Sequence, residues 1–184
     1  TAAVFQTTKT DVMEGANYET AGTFNTGKNR VRGIEFGLAG NVTKQFQLQA
    51  GAAFMKSKVL RSATVANEGR PLSNFADRSF SVQGKYQITK DFSIGAVARH
   101  ESDRCGGQPD TGAGYNAQGY CAQPVPSYSV YDLFATYRIN KHADLRLNVL
   151  NVTDKDYYTA VYRSGAFLYK GDARAVRLTL NLDL

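Results

Sequence analysis

The chain has 184 residues, of which 42% are hydrophobic and 21% are charged, a balance that excludes a highly charged disordered protein. The net charge of +6 comes from 22 basic residues scattered among 16 acidic ones, and the lack of a basic block argues against a nucleic-acid partner. No run of 18 apolar residues occurs, so the sequence predicts no transmembrane helix.

Apolar and polar residues alternate with a period of two along much of the chain, which predicts β-strands. The clearest case lies near the C-terminus, where Val176, Leu178 and Leu180 share one face and Arg177 and Thr179 share the other. Eight strands are predicted in chain order, over residues 1–8, 30–40, 45–57, 74–88, 92–104, 126–139, 143–152 and 173–184. Most reach the roughly 9 to 11 residues that a tilted strand needs to cross a bilayer.

The predicted connections between these strands alternate strictly in length. The long ones cover residues 9–29, 58–73, 105–125 and 153–172, and the short ones cover 41–44, 89–91 and 140–142. Short periplasmic turns and long extracellular loops are typical of outer-membrane β-barrels. The sequence therefore predicts an all-β, antiparallel transmembrane barrel segment in the outer membrane of a Gram-negative bacterium, with the C-terminus on the periplasmic side.

Aromatic residues support this interpretation, because they stand at both ends of the apolar faces. Phe46 and Phe54 bracket one face, and Tyr131 and Tyr137 bracket another, as in the two aromatic girdles of a membrane barrel. The core of a soluble β-sandwich also alternates. The opposite face of the long strands is polar, however, as a wet lumen requires.

Two cysteines, Cys105 and Cys121, bracket one of the long connections. A pair of this kind favours a disulfide formed in an oxidising compartment. The alternative is a metal pair, which needs about two further ligands, and the two histidines of the chain lie in other segments.

The C-terminal stretch 151–184 resembles the end of TonB-dependent outer-membrane receptors. In that family an Asn-x-x-Asp-Lys-x-Tyr segment follows the penultimate strand, and a strand with the pattern Gly-x-x-Arg-x-Val-x-Leu closes the chain. The matching residues here are Asn151, Asp154, Lys155, Tyr157, Gly171, Arg174, Val176 and Leu178. Residues 31–59, with Gly33, Ile34 and Glu35, are similar to the family's Gly-[Ile/Val]-Glu hairpin, and the run 161–165 looks most like catecholate-type receptors.

The resemblance implies that residues 1–184 are the C-terminal part, about the last third, of a 22-stranded barrel whose plug domain and TonB-binding N-terminal segment are absent from this chain. Family chains commonly end in an aromatic residue, where Leu184 stands here. The partners that the resemblance implies are a ferric siderophore, outer-membrane lipid, the remaining barrel and plug, and TonB through the absent N-terminal part.

Tyrosine and arginine are concentrated in the long connections and are the candidate ligand-binding residues. Large rigid aromatic rings and guanidinium donors suit ferric siderophores, which are bulky and often anionic and aromatic. For any single tyrosine, a place in the upper girdle or in loop packing is the competing interpretation. The candidates are Arg104, Tyr115, Tyr120, Tyr157, Tyr158, Tyr162, Arg163 and Tyr169.

The sequence contains no recognisable catalytic motif, so it predicts neither an enzyme nor a cofactor, and iron enters only within the siderophore. The alternative function is a self-contained eight-stranded outer-membrane barrel with a structural or adhesive role, because eight strands suffice to close a barrel. A third, weaker possibility is a soluble carbohydrate-binding β-sandwich.

Overall fold

The computed structural model describes residues 1–14, 24–108, 111–162, 165 and 167–183. These residues form a single eight-stranded antiparallel sheet with two small hairpins beside it. The strands of the large sheet are β1 (Ala2–Glu14), β2 (Phe24–Asn41), β3 (Phe46–Arg61), β4 (Arg78–Gln87), β5 (Phe92–Glu101), β8 (Tyr128–Asn140), β9 (Ala143–Leu150) and β12 (Ala175–Leu182). The hairpins are β6 (Arg104–Cys105) with β7 (Pro124–Val125), and β10 (Tyr158–Tyr162) with β11 (Phe167–Lys170); one 3-10 turn covers Val65–Asn67.

The sheet has two edges. Its strands follow the order β1-β2-β3-β4-β5-β8-β9-β12, so every large strand pairs with its nearest large neighbours in the chain. Strands β1 and β12 lie at opposite edges and do not pair with each other in the described part of the chain. The sheet is therefore an open segment of barrel wall, which disfavours a self-contained eight-stranded barrel.

All eight predicted strands are confirmed, but the first three were predicted too short. The strand expected over 1–8 continues to Glu14, and the strand expected over 30–40 begins at Phe24. In these extensions one face is buried, with Val12, Asn29 and Val59 each exposed by 4% or less. The opposite face carries lysine, arginine and threonine, so the alternation of apolar and polar residues stops while the pairing of the strands continues.

The register confirms one continuous apolar outer face. Across four strands, Leu48 pairs with Gly84, Gly84 with Ala96 and Ala96 with Leu133. The large side chains of this face stay accessible in the isolated chain: Leu133 is 49% exposed and Leu178 64%. In a membrane protein that accessible surface is the surface that lipid covers.

The predicted aromatic rows are present on this outer face. Near one end, Phe46 pairs with Tyr86, and the rings of Phe92 and Tyr137 lie 6.5 Å apart. Near the other end, the Phe54 and Phe80 rings lie 5.4 Å apart in an edge-to-face arrangement. Two aromatic rows therefore bound the apolar band.

Neighbouring residues of one strand face different media, lipid on the outer side and water in the lumen. This assignment can be tested at the centre of the sheet. Val82 lies on the outer face and is 43% exposed, whereas Gln83 lies on the inner face opposite Gln49 and Val97. We expect Val82→Arg to destabilise the membrane-inserted protein by about 2–4 kcal/mol, because arginine then faces lipid. Gln83→Arg should cost about 0.5 kcal/mol or less, because the inner face is wet.

The measurement is the heat-modifiable electrophoretic mobility of the full-length protein, scored as folded yield across a urea series. Equal losses for the two substitutions would contradict the assigned faces, since a slip of one residue exchanges them.

Candidate ligand-binding loops

Three long connections leave the sheet at the same end, and the structure describes them apart from residues 109–110, 163–164 and 166. They cover residues 62–77, 102–127 and 151–174, with the hairpin β6–β7 in the second and β10–β11 in the third. The connection between β1 and β2, including Tyr18, lies largely outside the described residues. The candidate site is built from these three connections.

One side chain, Asn74, joins all three connections. Its backbone amide donates to the Cys105 carbonyl at 2.8 Å. Its side-chain Nδ2 donates to the carbonyls of Gly107 and Val161 at 3.2 and 2.9 Å, and its Oδ1 accepts from the Val161 amide at 2.9 Å. Asn74 has a φ of 56°, a left-handed conformation that asparagine tolerates better than most residues.

Backbone hydrogen bonds extend this junction between the first two connections. The Ser73 amide donates to the Thr111 carbonyl at 3.1 Å, and the Ala113 amide donates to the Pro71 carbonyl at 2.9 Å. The Ser73 hydroxyl also donates to the Gln108 carbonyl. These bonds satisfy backbone groups that an isolated loop would leave to water.

The disulfide predicted between Cys105 and Cys121 is confirmed. It closes a loop with a sequence separation of 16 residues, and in the loop-entropy account such a closure stabilises by roughly 3 kcal/mol. Cys105 also lies next to Gly106, whose amide donates to Gln123 at 2.8 Å. The disulfide therefore fixes the segment that Asn74 contacts.

The third connection is anchored by Asn151, which is 2% exposed. Its side-chain Nδ2 donates to the carbonyls of Lys155 and Asp172, both at 2.9 Å, and its Oδ1 accepts from the Lys155 amide at 2.9 Å. The Asn151 amide donates to the carboxylate of Asp132 at 2.8 Å, and Asp132 also pairs with Arg99 at 2.7 Å. The base of the β10–β11 hairpin is thereby fixed to the barrel wall.

Residues on both strands' sides of the hairpin base also contact each other. Asp154 accepts from the Arg174 amide at 3.2 Å and from its guanidinium at 3.3 Å. At Gly171 an added Cβ would lie 2.0 Å from the Tyr157 ring, so any larger residue there would displace that ring. Asn151, Asp154, Gly171 and Arg174, which belong to the segments that carry the family resemblance, therefore hold the base of the hairpin in place.

Two predicted candidates are held in packing contacts. Arg104 has a side chain only 4% exposed, forms an ion pair with Glu101 and lies 5.7 Å from the Tyr128 ring centroid. The Tyr157 ring lies 4.5 Å from the Tyr128 ring.

The other candidates differ in accessibility. Tyr120, Tyr169 and Tyr158 are 72%, 55% and 38% exposed. Tyr115 lies under the guanidinium of Arg70 at 4.8 Å, and Tyr162 has its ring 6.0 Å from that of Phe167 in the same hairpin. Arg163 lies outside the described residues.

Besides Asp154 and Arg174, a second exposed ion pair lies beside the hairpin. Lys170 and Asp156 lie 2.7 Å apart, and the hydrogen bond and charge of Lys170 lower the pKa of Asp156. Within the described residues, no group of three or more His, Cys, Asp or Glu side chains could hold a metal ion. No helix of the described part is long and apolar enough to span a bilayer.

No pattern in the sequence indicated that Asn74, Arg70 and Tyr128 belong to the loop assembly. Asn74 stands in an unremarkable Leu-Ser-Asn-Phe segment, and its partners are 31 to 87 residues away in the chain. Contacts at such separations leave no local pattern in the sequence.

An open β-sheet with an apolar outer face, a polar inner face and long loops at one end defines a segment of membrane β-barrel. The family model of the TonB dependent receptor-like β-barrel matches residues 1–152, and the chain belongs to this family. TonB-dependent receptors are outer-membrane proteins of Gram-negative bacteria that act as receptors and transporters.

Curated relatives agree with this assignment. The chain is 36% identical over 159 residues to the probable TonB-dependent receptor BfrD of Bordetella pertussis, covering 85% of this chain and 21% of the relative. It is 32% identical over 186 residues to the catecholate siderophore receptor Fiu of Escherichia coli K12, covering 99% and 23%. The chain thus spans less than a quarter of these two relatives.

Solved structures show the same architecture. The closed form of the ferric-catecholate import receptor Fiu from Escherichia coli K12 superposes with a TM-score of 0.75 at 32% identity, over 98% of this chain and 24% of that one. The siderophore receptor PiuA from Acinetobacter baumannii gives a TM-score of 0.78 at 26% identity, over 98% and 25%.

The hydrogen bonds of the Asn74 side chain can be tested by substitution. Asn74→Gly keeps the left-handed backbone accessible but removes the three side-chain hydrogen bonds, which stabilise by about 1 kcal/mol each. Amide hydrogen exchange in the segments around Gly107 and Val161 should therefore accelerate by roughly 10- to 100-fold. Hydrogen-exchange mass spectrometry of the full-length receptor measures this.

Asn116→Gly is the matched control, because the Asn116 side chain accepts one bond, from the Tyr120 amide within its own loop. Its effect should stay within residues 116–120. Unchanged exchange around Gly107 and Val161 in Asn74→Gly would show that Asn74 does not hold the three connections together.

Proposed function

We propose that this chain is the C-terminal part of the barrel of a TonB-dependent transporter that takes up a ferric siderophore. In this proposal residues 1–184 supply barrel wall and extracellular loops, while the plug and the TonB-binding segment belong to other parts of the receptor. The observation that carries the proposal is the junction at Asn74, which holds together three loops, two of which carry exposed tyrosines. A fixed, aromatic loop surface suits capture of a large ligand with little ordering cost.

The ligand class is a ferric catecholate. The relative Fiu is a catecholate siderophore receptor, and exposed tyrosine rings offer stacking surfaces for catechol rings. Tyr120, Tyr158 and Tyr169 are the proposed direct contacts, since they are the exposed tyrosines among the described loop residues. Tyr115, Tyr162 and Arg163 complete the proposed surface, while Arg104 and Tyr157 support it from below.

The tyrosine contacts can be tested by substitution. Tyr158→Ala and Tyr169→Ala should each weaken binding of a ferric catecholate to cells by roughly 5- to 30-fold, equivalent to about 1–2 kcal/mol for a well-packed contact. The probe is ⁵⁵Fe(III)–2,3-dihydroxybenzoate, with receptor amounts normalised on the cell surface. Tyr137→Ala is the control, because Tyr137 is 50% exposed on the outer, lipid-facing side.

Two outcomes oppose the proposal. Wild-type binding in both loop variants would remove these tyrosines from the site. Equal competition by a ferric trihydroxamate would contradict the catecholate class, because hydroxamates lack the aromatic rings that tyrosines would stack on.

The orientation is also proposed, with the disulfide loop outside the cell and the C-terminus in the periplasm. A membrane-impermeant maleimide should label neither Cys105 nor Cys121 in intact cells, and should label them after a reductant is added. Lys90→Cys, in a short turn and in a Cys105→Ser/Cys121→Ser background, should react only in permeabilised cells. The reverse pattern would invert the orientation.

A further inference from the structure

The outer face of the wall changes from apolar to cationic just beyond the Phe54 end of the apolar band. On β2 and β3 the row after Ile34 and Phe54 pairs Arg32 with Lys56. The next row pairs Arg30 with Lys58, and a further cation, Lys28, follows on β2. At about 3.3 Å per residue, the first two cationic rows lie roughly 7 and 13 Å along the strand from the Phe54 row.

Like charges stand directly opposite each other in these rows, an arrangement that destabilises a sheet. Arg32, Lys56 and Lys58 are exposed, and no carboxylate of the described residues forms an ion pair with Arg30 or with any of these three. The adjacent outward positions on β1 are Gln6 and Thr8, which pair with Arg32 and Arg30. On the β1 side the cations are therefore flanked by neutral hydrogen-bonding groups. On the β4 side Asp77 and Asp103 line the same depression as Arg32 and Lys56, but neither forms an ion pair with them.

The same strands are covered on their inner side. Val12 and Val59 are 2% and 1% exposed, and Asn29 is 4% exposed. Alternation therefore fixes the cations on the outer surface of the wall, away from the lumen and from the loop tyrosines. A ligand that enters the receptor from the loops does not meet them.

We propose that these rows, defined by Arg30, Arg32, Lys56 and Lys58, bind the phosphate groups of the anionic glycolipid in the outer leaflet. Their position beyond the aromatic row of a lipid-facing surface is the level of the headgroups. Guanidinium groups pair with phosphate in a bidentate manner, and lysine adds compact positive charge. Bound phosphates neutralise the opposed cations, which removes the repulsion within the two rows. This site goes beyond siderophore uptake and rests only on the orientation of the wall.

The test uses the purified full-length receptor in detergent and measures bound lipid A by native mass spectrometry. The variant Arg32→Gln/Lys56→Gln/Lys58→Gln should bind bis-phosphorylated lipid A at least about 10-fold more weakly than the wild type, because three charged contacts are lost. The control Lys44→Gln/Lys90→Gln/Lys141→Gln removes three exposed charges from the short turns at the opposite end, and its binding should change by about 2-fold or less.

Several results would overturn the proposal. Equal loss in the two triple variants would show general charge attraction, and equal binding of dephosphorylated lipid A would exclude the phosphates as ligands. Displacement of the lipid by inorganic phosphate at equal molarity would assign the site to a free anion. If the triple variant does not fold, Arg32→Gln and Lys56→Gln are measured singly, and wild-type binding in both rejects the site.

Discussion

Cross-strand backbone pairing determines most of this structure, because it fixes which medium every side chain of the wall meets. Once Leu48 pairs with Gly84 and Gly84 with Ala96, alternate residues must face lipid and the intervening ones the lumen. The outer face then has to match its surroundings at each level. It is apolar between the two aromatic rows and cationic beyond Phe54, while the backbone pairing continues unchanged.

In the loops, where only short strands pair, asparagine side-chain amides hold the backbone in place. Asn74 and Asn151 both adopt positive φ values, 56° and 46°, and each directs its amide group to backbone groups. The partners of Asn74 are 33 and 87 residues away, whereas Asn151 joins the nearby Lys155 to Asp172, 21 residues further along the chain. An amide both donates and accepts, so one residue can satisfy several backbone groups of separate segments. The loops are consequently attached to one another and to the wall, through Asp132, with little apolar core.

The strands that cross the apolar band could be predicted from the sequence, because apolar and polar residues alternate without interruption in stretches such as Val176 to Leu182. It underestimated β1 and β2, because threonine and lysine replace apolar residues on the outer face beyond the band and erase the pattern. The disulfide was predictable from two cysteines that bracket one loop. The Asn74 junction was not, since hydrogen bonds between distant segments depend on geometry that composition does not encode. For the same reason Arg104, chosen as a ligand contact, is found in a buried ion pair with Glu101.

The fixation of the β10–β11 hairpin at its base has an evolutionary consequence. Asn151, Asp154, Gly171 and Arg174 secure the two ends of this segment, whereas Phe167 and Leu168 near its tip are more than half exposed. The sequence of the tip can therefore change in evolution without disturbing the contacts that hold the hairpin to the wall. Chimeras joined at these residues would exchange the tip and leave the hydrogen bonds at the base of the hairpin intact.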